Sequence, residues 1–136
     1  MMDLKLIKES FIKNQLPEAM GIDITEINQD SLTAQLKVDQ RHLRPGGIMN
    51  GGVSLLLIET VGSFSSYLQI NPKVQNALGI QVNANHISVA REGDIITAKS
   101  HCVHKGRTTH IWDVSIINQE DKLISSGRIT MLITNR

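Results

Sequence analysis

The 136-residue sequence predicts an α+β fold, an antiparallel β-sheet wrapped around one long central α-helix. Three observations point there. A glycine-rich loop, Pro45-Gly-Gly-Ile-Met-Asn-Gly-Gly52, runs into a long, mostly apolar segment. In that segment Val53, Leu57, Val61, Phe64 and Leu68 recur with a helical period, which predicts a helix from about Gly51 to Gln69. A hairpin-like pattern precedes the loop, and four strand-like runs follow the helix.

The elements can be justified in chain order. Leu4, Ile7, Phe11 and Ile12 give residues 4–14 the pattern of a short amphipathic helix, and Pro17 can start one more helical turn before Gly21. Ile22 to Ile27 and Leu32 to Val38 alternate around the turn residues Asn28-Gln-Asp-Ser31, which reads as a β-hairpin. A loop from Asp39 to Asn50 carries Arg41, His42 and Arg44, and Asn71-Pro72-Lys73 stops the long helix. Strands are expected over Ala77 to Ala90, Ile95 to His104, Thr108 to Ile117 and Leu123 to Ile133. Polar or glycine-containing turns separate them.

Composition narrows the functional classes. The length suits a single domain spanning residues 1–136. A net charge of +1 and an aromatic content of 3% give no reason to expect a nucleic-acid partner. No apolar run approaches a membrane span, no leader pattern precedes Asp3, and the lone Cys102 suits a reducing compartment. A cytoplasmic protein without a membrane partner is expected. One helix covers one face of a sheet, so a second copy is expected on what is left open, giving a homodimer or larger.

The long helix also carries the chemistry. Free backbone N–H groups around Gly51 and Gly52 make a partly positive site suited to an oxyanion or a polarised carbonyl. Glu59 lies on another face, with Leu55, Leu56, Gly62, Ser63 and Ser66 around it; the small residues leave room for a backbone or a ligand. Leucine neighbours would desolvate its carboxylate and raise its basicity, although a solvated surface acid fits the pattern equally. Glu59 lies about 10–14 Å along the axis from the helix start. A ligand touches both only if Glu59 reaches back or a second subunit completes the pocket.

These residues resemble a known family. Gly-x-Met-Asn50-Gly51-Gly52-Val, followed by Ile-Glu59-Thr-Val-Gly-Ser63, is similar to the hotdog-fold acyl-CoA thioesterase signature Gly-x-x-His-Gly-Gly with a carboxylate on the central helix. The nine-residue step from Asn50 to Glu59 agrees with it. Gly79-Ile-Gln-Val-Asn-Ala-Asn-His86, Ala90-Arg-Glu-Gly93, His104-Lys-Gly-Arg107 and Trp112 resemble the 4-hydroxybenzoyl-CoA and 1,4-dihydroxy-2-naphthoyl-CoA hydrolase branch. The resemblance runs from about Leu16 to the end.

The resemblance implies hydrolysis of an aryl- or medium-chain acyl-CoA, with CoA as part of the substrate and no separate cofactor. It places the thioester carbonyl on the Gly51 N–H, with Glu59 attacking or activating water and Ser63 holding the carboxylate or that water. Ser63 read alone is equally a small packing residue. Two departures stand out: Asn50 replaces the family histidine, keeping a donor but losing titration, and Arg44 replaces a glutamine that many members of this branch carry. Arg44, Gly52, His86, Arg91, Lys105, Gly106 and Arg107 are assigned to substrate and CoA contacts. A homodimer, as a dimer of dimers (a homotetramer), is expected. His101, His104 and His110 have no acid at ligand spacing, so no metal is expected. Cys102 is expected buried on a strand, and Trp112 in the core or a dimer interface. Two alternatives remain from other classes. One is an attenuated or non-catalytic acyl-CoA-binding protein, with Asn50 marking lost chemistry. The other is a hotdog acyl hydratase or dehydratase, for which His42 is the candidate histidine and Leu43-Arg44-Pro45 a poor match.

Overall fold

A computed structural model describes residues 3–136. At the N-terminus the expected helix divides. One α-turn, α1 (Leu4–Ile7), widens into a π-type turn over Lys8–Ile12, closed by a five-residue hydrogen bond from Lys13 N–H to the Lys8 carbonyl at 3.0 Å. The wider turn buries Ile12 and leaves Phe11 packed on the central helix, 5.0 Å between ring centroids from Phe64. Pro17 opens a further turn, α2 (Leu16–Ala19).

Strands β1 (Asp23–Ile27) and β2 (Leu32–Lys37) form the expected hairpin, its turn closed by Asn28 N–H to the Ser31 carbonyl. The loop that follows is more ordered than its composition suggests. A tight helical turn over Gln40–His42 leads into a two-residue ladder of β3 (Leu43–Arg44) with β4 (Ile48–Met49). Its tip needs Gly46 and Gly47, whose φ angles of 98° and 76° are open to glycine at little strain.

The central helix α3 spans Gly51–Tyr67, two residues shorter at its end than expected. The last bonds, from Leu68 N–H to Phe64 and from Gln69 N–H to Ser66, tighten the terminus before Asn71-Pro72. Strands β5 (Gln75–His86), β6 (Ile95–Lys105), β7 (Thr109–Ile117) and β8 (Leu123–Asn135) complete a six-stranded antiparallel sheet in the order β1-β2-β6-β7-β8-β5. β5 ends four residues earlier than expected. Beyond it, Ile87 and Ser88 both donate to the Ile124 carbonyl, and Ala90 accepts from Met49 N–H, so the chain turns towards the start of α3.

Helix and sheet meet over a wide arc. Val53, Leu57 and Val61 are buried as expected, and so are Ser54, Ile58, Gly62, Ser65 and Ser66, because the curled sheet reaches around the helix. Gly62 therefore does not open room for a ligand: a Cβ there would overlap Ile129 Cγ2. Gly127 on β8 is similarly closed by the Asn83 carbonyl and Ile58. Trp112 is fully buried in the core, whereas Cys102 is half-buried against it.

Ser66 joins that core through a polar contact. Trp112 Nε1–H donates to Ser66 Oγ at 2.7 Å, which frees the Ser66 proton for His110 Nδ1 at 3.1 Å. The arrangement needs neutral His110. Burial, then the nearby Lys105 and His104, hold its pKa below the ordinary 6.5. No helix among the described residues is long and apolar enough to cross a membrane.

Two outcomes are expected. Gly62→Ala should lower the unfolding free energy by about 1–3 kcal/mol, the range for overpacking, and Gly127→Ala by at least as much because its neighbour is backbone; urea titration measures both. His110 is held below its unfolded pKa, so the unfolded chain takes up the proton first. Its contribution to stability is intact above pH 6.5 and lost as pH falls towards the lower folded pKa. Urea midpoints at pH 7.5 and 5.5 should differ less in His110→Asn than in the parent.

Candidate active site

The start of α3 is held from both sides. Asn50 has extended backbone (φ −63°, ψ 132°), and its Oδ1 accepts the Gly52 N–H at 2.8 Å. The Asn50 carbonyl takes the Val53 N–H, so the Gly51 N–H is left without a partner among the described residues. The preceding loop is pinned by His42, which is 1% exposed. Its Nε2 bonds the Met20 carbonyl at 2.8 Å, its Nδ1 accepts the Asp39 N–H at 2.9 Å, and its own carbonyl accepts the Asn50 N–H. With both ring nitrogens engaged, His42 is a structural pin and does not serve the hydratase alternative.

A cavity of about 190 Å³ opens at this helix start, reached by Arg44, Gly51, Ser54, His86 and Ser88. His86, at the end of β5, lays its imidazole over Gly51: a Cβ at Gly51 would stand 2.7 Å from His86 Nε2, so only glycine lets the ring approach. Ser125 Oγ lies 3.4 Å from the other ring nitrogen and steadies it. Arg44 projects from the β3–β4 ladder, its guanidinium bonded back to the Pro45 carbonyl at 2.6 Å. Arg91 follows Ala90 at the same end of the molecule; its N–H donates to Asp94 Oδ2, and it bridges to Ile48.

Glu59 faces elsewhere. It lines a separate groove of about 400 Å³ with Phe11, Leu16, Leu56, Ser63 and Phe64. Ser63 Oγ donates to Glu59 Oε1 at 3.5 Å, a long bond one helical turn on. On the other side the carboxylate rests against the backbone of Gly79 on β5, where a Cβ would overlap Oε1. β5 is one of the sheet's two edge strands, and Leu78 and Ile80 beside Gly79 are exposed.

The sequence-derived set thus falls into three places. Arg44, Asn50, Gly51, Gly52, His86 and Arg91 gather at the helix start, and Glu59 with Ser63 sits in the second groove. Lys105, Gly106 and Arg107 lie at the opposite end, roughly 25 Å away along the helix. Lys105 Nζ is already bonded to Asp30 Oδ1 at 3.0 Å and Gln69 Oε1 at 2.9 Å, next to the end of α3. Gly106 turns its hairpin, with its N–H on the Thr109 carbonyl and His104 too close for a side chain. One chain therefore does not bring these three to the first cavity. Two features escaped the sequence reading: the N-terminal Phe11 and Leu16 as a wall of the Glu59 groove, and Ser54 inside the helix-start cavity. The three-residue step from Gly51 was the available signal for Ser54.

Residues 46–125, more than half of the chain, match the family model described as the thioesterase superfamily. A 1,4-dihydroxy-2-naphthoyl-CoA hydrolase of Escherichia coli is 34% identical, over 84% of this chain and 82% of its own length. A Listeria monocytogenes protein of the same name is 29% identical over 89% and 97%. The crystal structure of a mutant thioesterase from Pseudomonas aeruginosa superposes with a TM-score of 0.93 at 35% identity, covering 99% of this chain and 96% of that one.

The cap geometry makes its own prediction. Asn50→Ala should destabilise the chain by about 1 kcal/mol, while Asn50→Asp, which keeps the acceptor and adds a negative charge at a helix start, should not. Thermal unfolding of the three chains at neutral pH separates the outcomes.

Proposed function

The chain belongs to the thioesterase superfamily and is a thioester hydrolase; from that premise we propose that it hydrolyses an aryl- or medium-chain acyl-CoA to the free acid and CoA at a site shared between two subunits. The observation that carries this reading is the separation of the two functional halves. The unpaired Gly51 N–H opens into one cavity and the Glu59 carboxylate into another, with no lining residue in common.

The edge strand supplies a way to join them. Antiparallel pairing of β5 with β5 of a second copy about the Val82–Asn83 bond would set Gly79 opposite the other copy's His86. Glu59 rests on Gly79, and His86 covers the helix start, so each carboxylate would meet the other subunit's Gly51 N–H. The pairing would also cover an edge that carries exposed Leu78 and Ile80. The further association into a dimer of dimers remains part of this proposal.

In such a site the Gly51 N–H, reinforced by the helix dipole, holds the thioester oxygen as it becomes an oxyanion. Glu59 takes a proton from the attacking water and returns it to the departing thiolate, or attacks the carbonyl carbon to give a mixed anhydride that water then hydrolyses, that water supplying the thiol proton; Ser63 steadies the carboxylate. CoA leaves as the thiol. Asn50 serves as the helix cap, a role that needs no titrating group. Arg44 and His86 line the same mouth, Gly52 and Arg91 each adjoin a residue that lines it, and the four are assigned to the CoA side. Lys105, Gly106 and Arg107 reach CoA only across an assembly. No cofactor is invoked, CoA being carried by the substrate.

A thiol-release assay with benzoyl-, hydroxybenzoyl-, dihydroxynaphthoyl-, hexanoyl- and palmitoyl-CoA tests the activity. The parent should turn over at least one aryl or medium-chain ester, and Glu59→Ala should lose about 10²-fold or more. Activity unchanged in Glu59→Ala would refute the assignment. Silence of the parent with activity in Asn50→His would favour an attenuated enzyme. The shared site has a separate test. Proline suits the first helical position and lacks the N–H, and its ring also pushes His86 off the helix start, so it disables that half of the site on its own chain. Gly51→Pro and Glu59→Ala should each be inactive, and co-refolding them should restore about a quarter of parental activity, because mixed dimers carry one intact site.

A further inference from the structure

We propose that the Ser54 hydroxyl is a second hydrogen-bond donor, beside the Gly51 N–H, to the carbonyl oxygen of the bound thioester; this rests on the thioesterase reading above. Ser54 is 1% exposed, and its Oγ has no hydrogen-bond partner among the described residues. A buried hydroxyl left that way carries a desolvation penalty that a native core ordinarily avoids. A serine inside a helix has a simple remedy, a bond to the carbonyl four residues back. Ser65 on the same helix takes it, donating to the Val61 carbonyl at 2.7 Å. Ser54 does not.

Its placement explains what it waits for. Ser54 lines the helix-start cavity together with Gly51 and His86. Helical side chains lean towards the N-terminus and cover the preceding turn, so a hydroxyl three residues after Gly51 lies over the first turn. Gly51 has no Cβ to screen it. An acceptor on the unpaired Gly51 N–H therefore comes within reach of the Ser54 hydroxyl. Asn50 does not compete through its oxygen, which is held on the Gly52 N–H at 2.8 Å.

The chemistry asks for this second donor. As the carbonyl carbon becomes tetrahedral, its oxygen gains negative charge and can take more than one hydrogen bond; the backbone supplies one. Ser54 keeps its proton throughout, so no bond to it forms or breaks. The class of ligand is fixed by that geometry: a carbonyl compound, bound by its oxygen, at a site walled by the first turn of α3 and His86.

Ser54→Ala and Ser54→Cys test the assignment, using the thioester that the parent hydrolyses fastest, the carbonyl-free thioether S-benzyl-CoA as a binding probe, and thermal unfolding. In Ser54→Ala, kcat should fall at least about ten-fold, towards the roughly 10²–10³ known for a lost oxyanion donor, with KM and thioether affinity held within about two-fold. Ser54→Cys, a weaker donor of similar shape, should fall between Ser54→Ala and the parent. Melting temperature should hold or rise, because an unpaired buried hydroxyl has been removed. A kcat within about two-fold of the parent overturns the proposal, as expected if the hydroxyl meets only a trapped water. So does a joint loss of kcat, thioether affinity and melting temperature, which marks a packing role. A parent and an Asn50→His variant both silent on every thioester overturn the thioesterase reading and this role with it. An active parent with an unaffected Ser54→Ala removes only the role of Ser54.

Discussion

The candidate site depends on how the first turn of α3 is held. A helix begins with N–H groups that its own backbone does not satisfy, and two glycines make a poor start by propensity. Here Asn50 ties down the second N–H and then, through its carbonyl, the third. His42 ties down Asn50 in turn, anchoring the loop to Asp39 and Met20 through both ring nitrogens. What is left is one outward-facing donor on a residue without a side chain. Replacing either glycine by a better helix former would fill the space that His86 or the Asn50 side chain occupies. The low propensity is thus the consequence of close approach by neighbouring groups.

Much of the architecture was legible because it rests on period. The apolar rows of α3 and the alternation of β7, where His110, Trp112, Val114 and Ile116 are buried in turn, are local patterns set by side-chain direction. The failures have a common cause. Residues Ile87 to Ala90 read as strand by composition, but their backbone groups find partners on Ile124 and Met49 outside any ladder. The N-terminal segment has a helical period, yet packing Phe11 on Phe64 and Tyr67 goes with a wider turn. The loop around His42 holds its order through contacts with residues distant in sequence, which spacing does not encode.

The site divides along the same line. The step from Asn50 to Glu59 is local, and both ends stand on the helix as expected. That Gly51 and Glu59 open into different cavities is a property of what packs on each side: the loop and His86 at one end, the N-terminal turns and Gly79 at the other. Lys105 and Arg107 have the right residue types but stand by the helix C-terminus, with Lys105 paired to Asp30. Ser54 shows the converse. Its residue type alone does not mark it, since a serine between apolar neighbours reads as packing; an unpartnered hydroxyl, shared with Thr33, together with a place in the helix-start cavity singles it out.

The contact between Glu59 and Gly79 has a consequence for how such a site can drift over time. The carboxylate is walled on that side by a peptide, and every amino acid carries the same peptide. Leu78, Ile80 and their neighbours on the edge strand are therefore free to vary in size and polarity without changing the chemistry that Glu59 meets. The restriction narrows to one β-carbon, which at position 79 would push the Glu59 carboxylate aside. A wall made of main chain is inherited almost regardless of sequence, so the surface of the edge can be retuned for new contacts while the acid's surroundings stay the same.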